Sequence, residues 1–401
     1  MAYRKDDIII TTGIHNNNYI SMSSLKIRPD YSDYFNQINI DPQTIGIPIE
    51  GGRGCHWGKC HFCYLNTGYR FRVKPPEIIV EEMEYMIKTY HISNFHFLDN
   101  DVIGKDLERF DKLLNLLIQL KEKYPDFKIM LAEIITKDIT FDFIKKMSLA
   151  GFVHIQIGYE SASDTLLKKI EKKNSFASNL LFIKYAILFR IYVGGANIIK
   201  NLLEETEVDI LESIENLHNL RFFLHKELFE HNYSEPGVTK ASRYYKLIKG
   251  ENEILWSKRH PFKSHLSDSY LPKGDPEFNI LEAFKCYEHP LWYEFQRIES
   301  YYLKSKYEYK LILIDNKSVR YQEYYNERMI NELELETHSI EWKILKEANN
   351  KVISLQNLTN LFEKRQEEII DILNELKKEK LIYINKDYTE IVSIINTNIL
   401  I

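Results

Sequence analysis

From Thr44 onward, short apolar runs alternate with longer segments whose apolar residues recur at helical spacing. Parallel strands are joined by long crossovers, usually helices, so this alternation is typical of βα units around a parallel sheet. About six such units lie between residues 44 and 225, fewer than the eight that close a full barrel. We therefore predict an α/β fold whose core is a partial (β/α)6 TIM-type barrel.

The same patterns place the elements and divide the chain into four parts. We predict an N-terminal extension (1–43), the barrel core (44–225), a substrate-binding or bridging segment without clear periodicity (226–335) and a winged-helix-like domain (336–401). Core strands are predicted at 44–50, 95–98, 128–133, 153–158 and 191–199, and core helices at 107–117, 141–149, 178–189 and 207–223, with another opening at Pro76. The last part is predicted to contain helices at 340–348, 354–362 and 367–378, then strands at 381–385 and 390–394.

Three of the chain's four cysteines, Cys55, Cys60 and Cys63, form a C-x4-C-x2-C loop directly after the first predicted strand. A secreted disulfide framework does not concentrate its cysteines in this way. Three thiolates on one loop can bind three irons of a cubane cluster and leave the fourth iron open to a ligand. A zinc site with His56 or His61 as fourth ligand is the alternative. The loop's place at the mouth of a barrel strand, where active sites lie, favours the cluster.

The cysteine loop resembles that of the radical S-adenosylmethionine (SAM) superfamily, whose usual spacing is C-x3-C-x2-C with an aromatic residue before the third cysteine. Phe62 occupies that aromatic position, and one extra residue separates Cys55 from Cys60. The segments 53–58 and 71–77 further resemble enzymes that modify ribosomally made precursor peptides. The resemblance implies a [4Fe-4S] cluster, SAM, a precursor-peptide substrate and a reducing partner such as flavodoxin or ferredoxin.

Polar residues at the ends of the other core strands carry the resemblance further. Asp99-Asn100 occupies the place where the superfamily binds the methionine amino group of SAM, and 158–161 resembles its G-x-E-S strand end. In the last βα motif, Asn201 and Leu203 stand where a glycine and a proline are usual. A carboxylate at a strand end also has a simpler interpretation as a helix cap. The cofactor-binding residues implied by the resemblance are Phe62, Asp99, Asn100, Glu133, Glu160, Ser161, Lys172 and Asn197.

The fourth cysteine, Cys286, lies outside the predicted core, and a single cysteine cannot hold a second cluster. Its S–H bond is weak relative to a peptide Cα–H, so the thiol could return a hydrogen atom to a Cα radical. Proteusin-type radical SAM peptide epimerases work in this way, and the chain resembles them in having a cysteine triad plus one further cysteine. Cys286 is therefore our candidate catalytic residue for L-to-D epimerisation. The alternative is a small buried apolar residue.

Other reactions remain open, namely C-methylation, crosslinking or backbone excision on a precursor peptide. Cobalamin-dependent methylation is disfavoured because no cobalamin domain precedes Thr44. A non-enzymatic metal-binding adaptor that docks peptides is an alternative of a different class. For the winged-helix-like domain, we expect leader-peptide docking or bracing of the barrel rather than DNA binding, because its charges are balanced.

Charge and hydropathy restrict the partners. The net charge is −5 without a basic tract, so we expect no nucleic-acid partner. The first residues lack the apolar stretch of a signal peptide, and no apolar run approaches the length of a membrane span. We therefore predict a cytoplasmic protein without a membrane partner.

Overall fold

Six parallel strands form the central sheet of the computed structural model, in the order β6-β5-β4-β3-β2-β1. The strands are β1 (Gly46–Ile49), β2 (Asn94–Phe97), β3 (Lys128–Ile134), β4 (His154–Ile157), β5 (Tyr192–Ile199) and β6 (Phe229–Ser234). The structure describes residues 2–11, 21–24, 28–37, 41–63, 70–239, 243–244, 256–257, 281–284, 289–315 and 317–400. The predicted α/β fold with a partial barrel is confirmed.

Helices follow the strands and cover the sheet. They are α1 (Pro76–Tyr90), α2 (Leu107–Lys123), α3 (Phe141–Leu149), α4 (Asp164–Lys169), α5 (Phe176–Leu188) and α6 (Glu207–Asn216). Helix α1 opens with a proline at its first position and buries Ile79, Met83 and Met86 on one face. Helix α5 begins with a capping box between Ser175 and Ser178 and is buried on nearly every side. The five strands with predicted bounds agree with the structure to within two residues.

The sixth strand, β6, lies beyond residue 225, where the sequence pattern predicts the end of the core. It pairs with β5 and forms one edge of the sheet. Its sequence alternates, with Phe229 buried while Glu230 and Asn232 are exposed, so it lacks the continuous apolar run of the inner strands. The polar side of this edge strand explains why an apolar-run criterion misses it.

The segment after β6 contains regular structure that the sequence pattern did not reveal. Helix α7 (Leu291–Lys304) is followed by an antiparallel sheet of β7 (Tyr307–Ile314), β8 (Ser318–Tyr325) and β9 (Arg328–Glu336). The C-terminal part contains α8 (Ile340–Glu347), α9 (Leu355–Phe362), α10 (Gln366–Lys378), β10 (Ile382–Ile384) and β11 (Ile391–Ser393). Each of these last five elements lies where it was predicted, while their assignment as a winged helix stays a prediction.

Buried polar contacts join the C-terminal part to the barrel. The Lys184 ammonium on α5 donates to the Asn349 carbonyl, the Asn349 side-chain oxygen and the Ser393 carbonyl at 3.0, 3.1 and 2.8 Å. Tyr383 on β10 donates to the buried Asp164 carboxylate at 2.5 Å. Apolar side chains of both parts also belong to one continuous core. These contacts hold the C-terminal elements against α4 and α5.

A second link joins the barrel to the antiparallel sheet, namely the ion pair of Arg221, beyond α6, with Glu323 on β8. Two guanidinium nitrogens of Arg221 donate to the two carboxylate oxygens at 2.8 and 3.1 Å. Tyr321 donates a further hydrogen bond to the same carboxylate. The Arg221 side chain is fully buried, so its charge depends on this bidentate partner.

No helix in the described part of the chain is long and apolar enough to cross a membrane.

Candidate functional site

The cysteine loop leaves the carboxyl end of β1, and hydrogen bonds fasten it to the barrel. A short strand pair, Gly52–Arg53 with Arg72–Val73, closes its base. Two glycines beside the first cysteine, Gly54 and Gly58, have φ values of 76° and 63°, a conformation that costs glycine little. On the far side, the Trp57 indole N–H donates to the Glu171 carbonyl at 2.7 Å. The sequence thus folds locally into a tight loop that holds the three cysteines half-buried.

The three cysteines share one cavity with most of the residues that the family resemblance implied. The cavity has a volume of about 220 Å³ and lies at the carboxyl ends of the strands, where ligands bind in folds of this class. Its lining residues among those predicted are Cys55, Cys60, Phe62, Cys63, Asn100, Glu133, Glu160, Lys172 and Asn197. One cavity therefore combines thiolates, carboxylates, amides and an ammonium.

Glu160 and Lys172 form a buried ion pair on the cavity wall. Lys172 Nζ donates to Glu160 Oε1 at 2.7 Å, and each side chain is 11% exposed. Burial alone would lower the pKa of Lys172, but Glu160 and then Cys60 raise it above its usual range. Lys172 also lies 5.8 Å from the centre of the Phe62 ring. The Glu160 backbone has a φ of 56°, an unusual conformation for a glutamate, as found at functional sites.

Four other polar side chains of the cavity form no side-chain hydrogen bond with the described part of the protein. They are Asn100, Glu133, Gln156 and Asn197. Burial raises the pKa of Glu133, with a smaller opposing effect of Lys172. Buried polar groups are normally paired, so side chains that line a cavity without protein partners are suited to bind a ligand. SAM offers an ammonium, a carboxylate, a ribose and an adenine as complementary groups.

The donor set fits a cubane cluster. Burial raises the pKa of the Cys60 thiol to about 11, while the nearby Lys172 ammonium favours its thiolate. Among the described residues, no group of three Cys, His, Asp or Glu side chains is arranged to hold a single metal ion. A cubane does not need such a group, because each thiolate binds a different iron.

Both histidines proposed as zinc ligands lie close to other side chains. His61 Nδ1 is 2.6 Å from Glu204 Oε1. His56 Nε2 is 3.0 Å from Lys173 Nζ. The other ring nitrogen of His56 lies 3.0 Å from Asp101 Oδ2, although the two atoms are not aligned as a hydrogen bond. The structure therefore gives both rings a role in holding the loop.

Two predicted cofactor-binding residues lie behind the cavity wall. Asp99 is 5% exposed and accepts a hydrogen bond from the Gly51 N–H at 2.8 Å. Burial raises the pKa of Asp99 to about 7. Ser161 is 1% exposed, and its hydroxyl accepts from the Ser163 N–H at 3.0 Å. In this structure Asp99 holds the segment that leads into the cysteine loop, and Ser161 stabilises the turn before α4.

Sequence reasoning missed Gln156, which lies on β4 and lines the cavity. Gly195 on β5, with a φ of 70°, makes room for it, because a Cβ atom there would lie 3.2 Å from the Gln156 side-chain oxygen. The pairing register of β5 with β6 also shifts at this point. The Gly194-Gly195 pair within a strand was the available signal.

The remaining candidate, Cys286, lies outside the described residues.

Residues 49–217 match the family model of the Radical SAM superfamily. No curated protein sequence matches the chain.

Several solved structures are similar to the chain at low identity. The radical S-adenosylmethionine methyltransferase TsrM from Kitasatospora setae, with tryptophan substrate and a SAM analog bound, is 13% identical, covers 68% of this chain and 53% of its own, and has a TM-score of 0.49. The cobalamin-dependent radical enzyme OxsB is 16% identical over 59% of this chain and 38% of its own, with a TM-score of 0.43. Coproporphyrinogen III oxidase (HemN) from Escherichia coli is 10% identical over 90% and 89%, with a TM-score of 0.40. The chain thus spans about half the length of TsrM, and less of OxsB.

Proposed function

We propose that the chain, whose residues 49–217 match the family model of the Radical SAM superfamily, modifies a ribosomally made precursor peptide by SAM radical chemistry. The observation that carries the proposal is the shared cavity. It brings three cysteines of one loop together with the Glu160–Lys172 pair and four polar side chains that form no side-chain hydrogen bond with a described residue.

Particular residues of this chain would hold the cluster, SAM and the substrate. Cys55, Cys60 and Cys63 would hold three irons of the [4Fe-4S] cluster, which supplies the electron that cleaves SAM when both are bound. The ion pair of Glu160 and Lys172 would orient the polar groups of SAM. Glu133, Gln156 and the two amides would bind SAM or the substrate, since they line the same cavity. The half-buried loop limits the access of water to these groups.

The peptide substrate is supported by the antiparallel sheet as well as by the sequence of the cysteine loop. Strand β9 is nine residues long, and among the described strands it pairs only with β8. Its outer edge can therefore accept hydrogen bonds from an extended peptide that adds as a further strand. We propose this edge and the adjacent helix α8 as the docking site of a leader peptide.

Our preferred reaction is L-to-D epimerisation at Cα. One hydrogen atom would be abstracted from Cα by the radical that SAM cleavage supplies, and the Cys286 thiol would return one hydrogen atom to the opposite face. The cysteine then needs one electron and one proton from a reducing partner such as flavodoxin or ferredoxin to regain its thiol. Support for Cys286 comes from the sequence alone. C-methylation, crosslinking and backbone excision remain the alternative reactions, and a non-enzymatic metal-binding adaptor the alternative class.

Anaerobic reconstitution tests the enzyme class first. We expect about four irons and four sulfides per chain and the formation of 5′-deoxyadenosine from SAM after reduction with dithionite. A protein that binds zinc in preference to iron and leaves SAM intact would support the adaptor.

To test the reaction type, the genes beside that of this chain are searched for a short precursor-peptide gene, and its peptide is used as the substrate. In D2O, epimerisation predicts one deuterium at each inverted Cα, because a thiol exchanges its hydrogen with solvent. Cys286→Ala should still form 5′-deoxyadenosine but lose inversion. A product with an added methyl group or a crosslink would contradict epimerisation and favour the alternative reactions.

A further inference from the structure

Two residues beyond the barrel, Arg243 and Tyr244, contact the backbone of the cysteine loop. Arg243 Nη1 donates to the Lys59 carbonyl at 3.0 Å. The Tyr244 backbone N–H donates to the His61 carbonyl at 3.3 Å. Lys59 and His61 are the two neighbours of Cys60 in the sequence. The backbone carbonyls of both neighbours of the middle cysteine are therefore held from outside the loop.

A carboxylate from the connection between β5 and α6 completes this arrangement. Glu204 Oε1 lies 2.6 Å from His61 Nδ1, and Glu204 Oε2 accepts a hydrogen bond from the Tyr244 hydroxyl at 2.5 Å. The side chain of Glu204 is 21% exposed, so these hydrogen bonds are largely shielded from water. Glu204 thus bridges a loop histidine and a tyrosine that also binds the loop backbone.

Apolar packing fixes the tyrosine in place. Tyr244 is fully buried in a small hydrophobic cluster that is separate from the main core, and the Phe62 ring packs against it. The other members of the cluster are Leu166, Leu167, Ile170, Ile199 and Leu202. Phe62 directly precedes Cys63, so the same cluster supports the last cysteine of the loop.

We propose that Glu204, Arg243 and Tyr244 form a clasp that positions the cysteine loop for its cluster. They are positioning residues, because each acts on the loop backbone, on His61 or on another member of the clasp. The clasp holds the backbone around Cys60 and supports Phe62 beside Cys63. That the loop holds a cluster rests on the proposed function, whereas the contacts between the clasp and the loop do not.

The first test uses the protein without iron. Iodoacetamide is added to the reduced apoprotein, and the rate of alkylation of Cys55, Cys60 and Cys63 is followed by mass spectrometry. We expect Tyr244→Phe and Glu204→Gln to increase this rate about tenfold, equivalent to about 1.4 kcal/mol of easier loop opening. Tyr124→Phe is the matched control, because its hydroxyl donates to Glu84 at 3.1 Å far from the loop. Rates equal to those of the wild type and the control in both clasp variants would overturn the proposal.

The second test uses the reconstituted protein. We expect the electron paramagnetic resonance spectrum of the reduced cluster with SAM to broaden or shift in both clasp variants. The thermal midpoint and the spectrum of the Tyr124→Phe control should both equal those of the wild type. Spectra identical to wild type in both clasp variants would contradict a positioning role. Because alkylation needs no cluster, a chain that fails to bind iron would refute the proposed function and still leave the clasp testable.

Discussion

Lys172 Nζ lies 2.7 Å from Glu160 Oε1 on the wall of the cavity that the three cysteines share. Lys172 uses only one oxygen of the carboxylate, and Glu160 Oε2 accepts no hydrogen bond from a described residue. The ion pair therefore fixes the carboxylate while one oxygen remains for a ligand. The pairing with Lys172 stabilises the buried charge of Glu160, and a binding role for the second oxygen is what the first prediction tests.

Glu160→Gln should weaken SAM binding by about ten- to a hundredfold, since a charge-assisted hydrogen bond contributes about 1.5–3 kcal/mol. Titration calorimetry of the reconstituted protein measures the dissociation constant. The exposed Glu108→Gln serves as the control and should bind SAM like the wild type. Unchanged affinity in Glu160→Gln with a full complement of iron would leave Glu160 with a structural role alone.

Cys60→Ala should abolish both the [4Fe-4S] absorbance and the formation of 5′-deoxyadenosine, because two thiolates cannot hold a cubane as three do. Iron analysis and chromatography of the SAM products provide the measurements. Cys286→Ala is the control, since it removes a thiol outside the loop and should retain the cluster. Full SAM cleavage by Cys60→Ala would refute the assignment of the loop.

Asp99→Asn should retain SAM affinity, because Asp99 hydrogen-bonds the Gly51 N–H and lies behind the cavity wall. The asparagine side-chain oxygen can still accept that hydrogen bond. Calorimetry in parallel with Glu160→Gln separates the two residues that the family resemblance places together. A loss of affinity as large as that of Glu160→Gln would return Asp99 to the SAM site.

Asp164 should make the stability of the protein depend on pH. Burial raises the pKa of Asp164 to about 6 from 3.8, although hydrogen bonds from Tyr383 and the Phe176 N–H oppose this shift. The folded protein therefore binds this proton more tightly than the unfolded chain does. The resulting stabilisation is complete below about pH 4 and is lost as the pH rises through about 6, an effect of about 1–3 kcal/mol.

Urea unfolding between pH 5 and 8 measures this effect. Asp164→Asn cannot ionise, so its stability should fall less with rising pH than that of the wild type. The exposed Asp126→Asn is the control and should follow the wild type. Parallel pH profiles for wild type and Asp164→Asn would show that the carboxyl group is ionised in the folded protein throughout this range.

Lys184→Met should destabilise the protein by about 2–4 kcal/mol, because buried carbonyl oxygens of Asn349 and Ser393 lose their donor. The methionine fills most of the volume, so the loss reports the hydrogen bonds more than a cavity. Chemical denaturation gives the free energy of unfolding, and the exposed Lys145→Met is the control. A change below about 0.5 kcal/mol would mean that the junction does not depend on this lysine.

Local signals made the barrel strands and the cysteine loop predictable, because apolar runs and ligand spacing are properties of short segments. Strand β6 was missed because its outer side is polar. Asp99 and Asn100 show a finer limit. Both follow β2, but Asp99 accepts a hydrogen bond from the Gly51 N–H, whereas Asn100, at a bend, lines the cavity. The position of the Gln156 side chain depends on the space that Gly195 leaves in the next strand. Such a contact between two strands cannot be recognised from either segment alone.

The pairing of Arg221 with Glu323 has a consequence for how the chain is made. Barrel residues leave the ribosome about a hundred residues before the carboxylate that neutralises Arg221. Tyr309 and Tyr321, which lie close to the guanidinium, belong to the same later segment as Glu323, so Arg221 is in contact with water until that segment is made. The nascent barrel therefore keeps Arg221 and its neighbour Phe222, whose ring lies 4.8 Å from that of Tyr309, exposed to water until β7 and β8 have emerged to cover them.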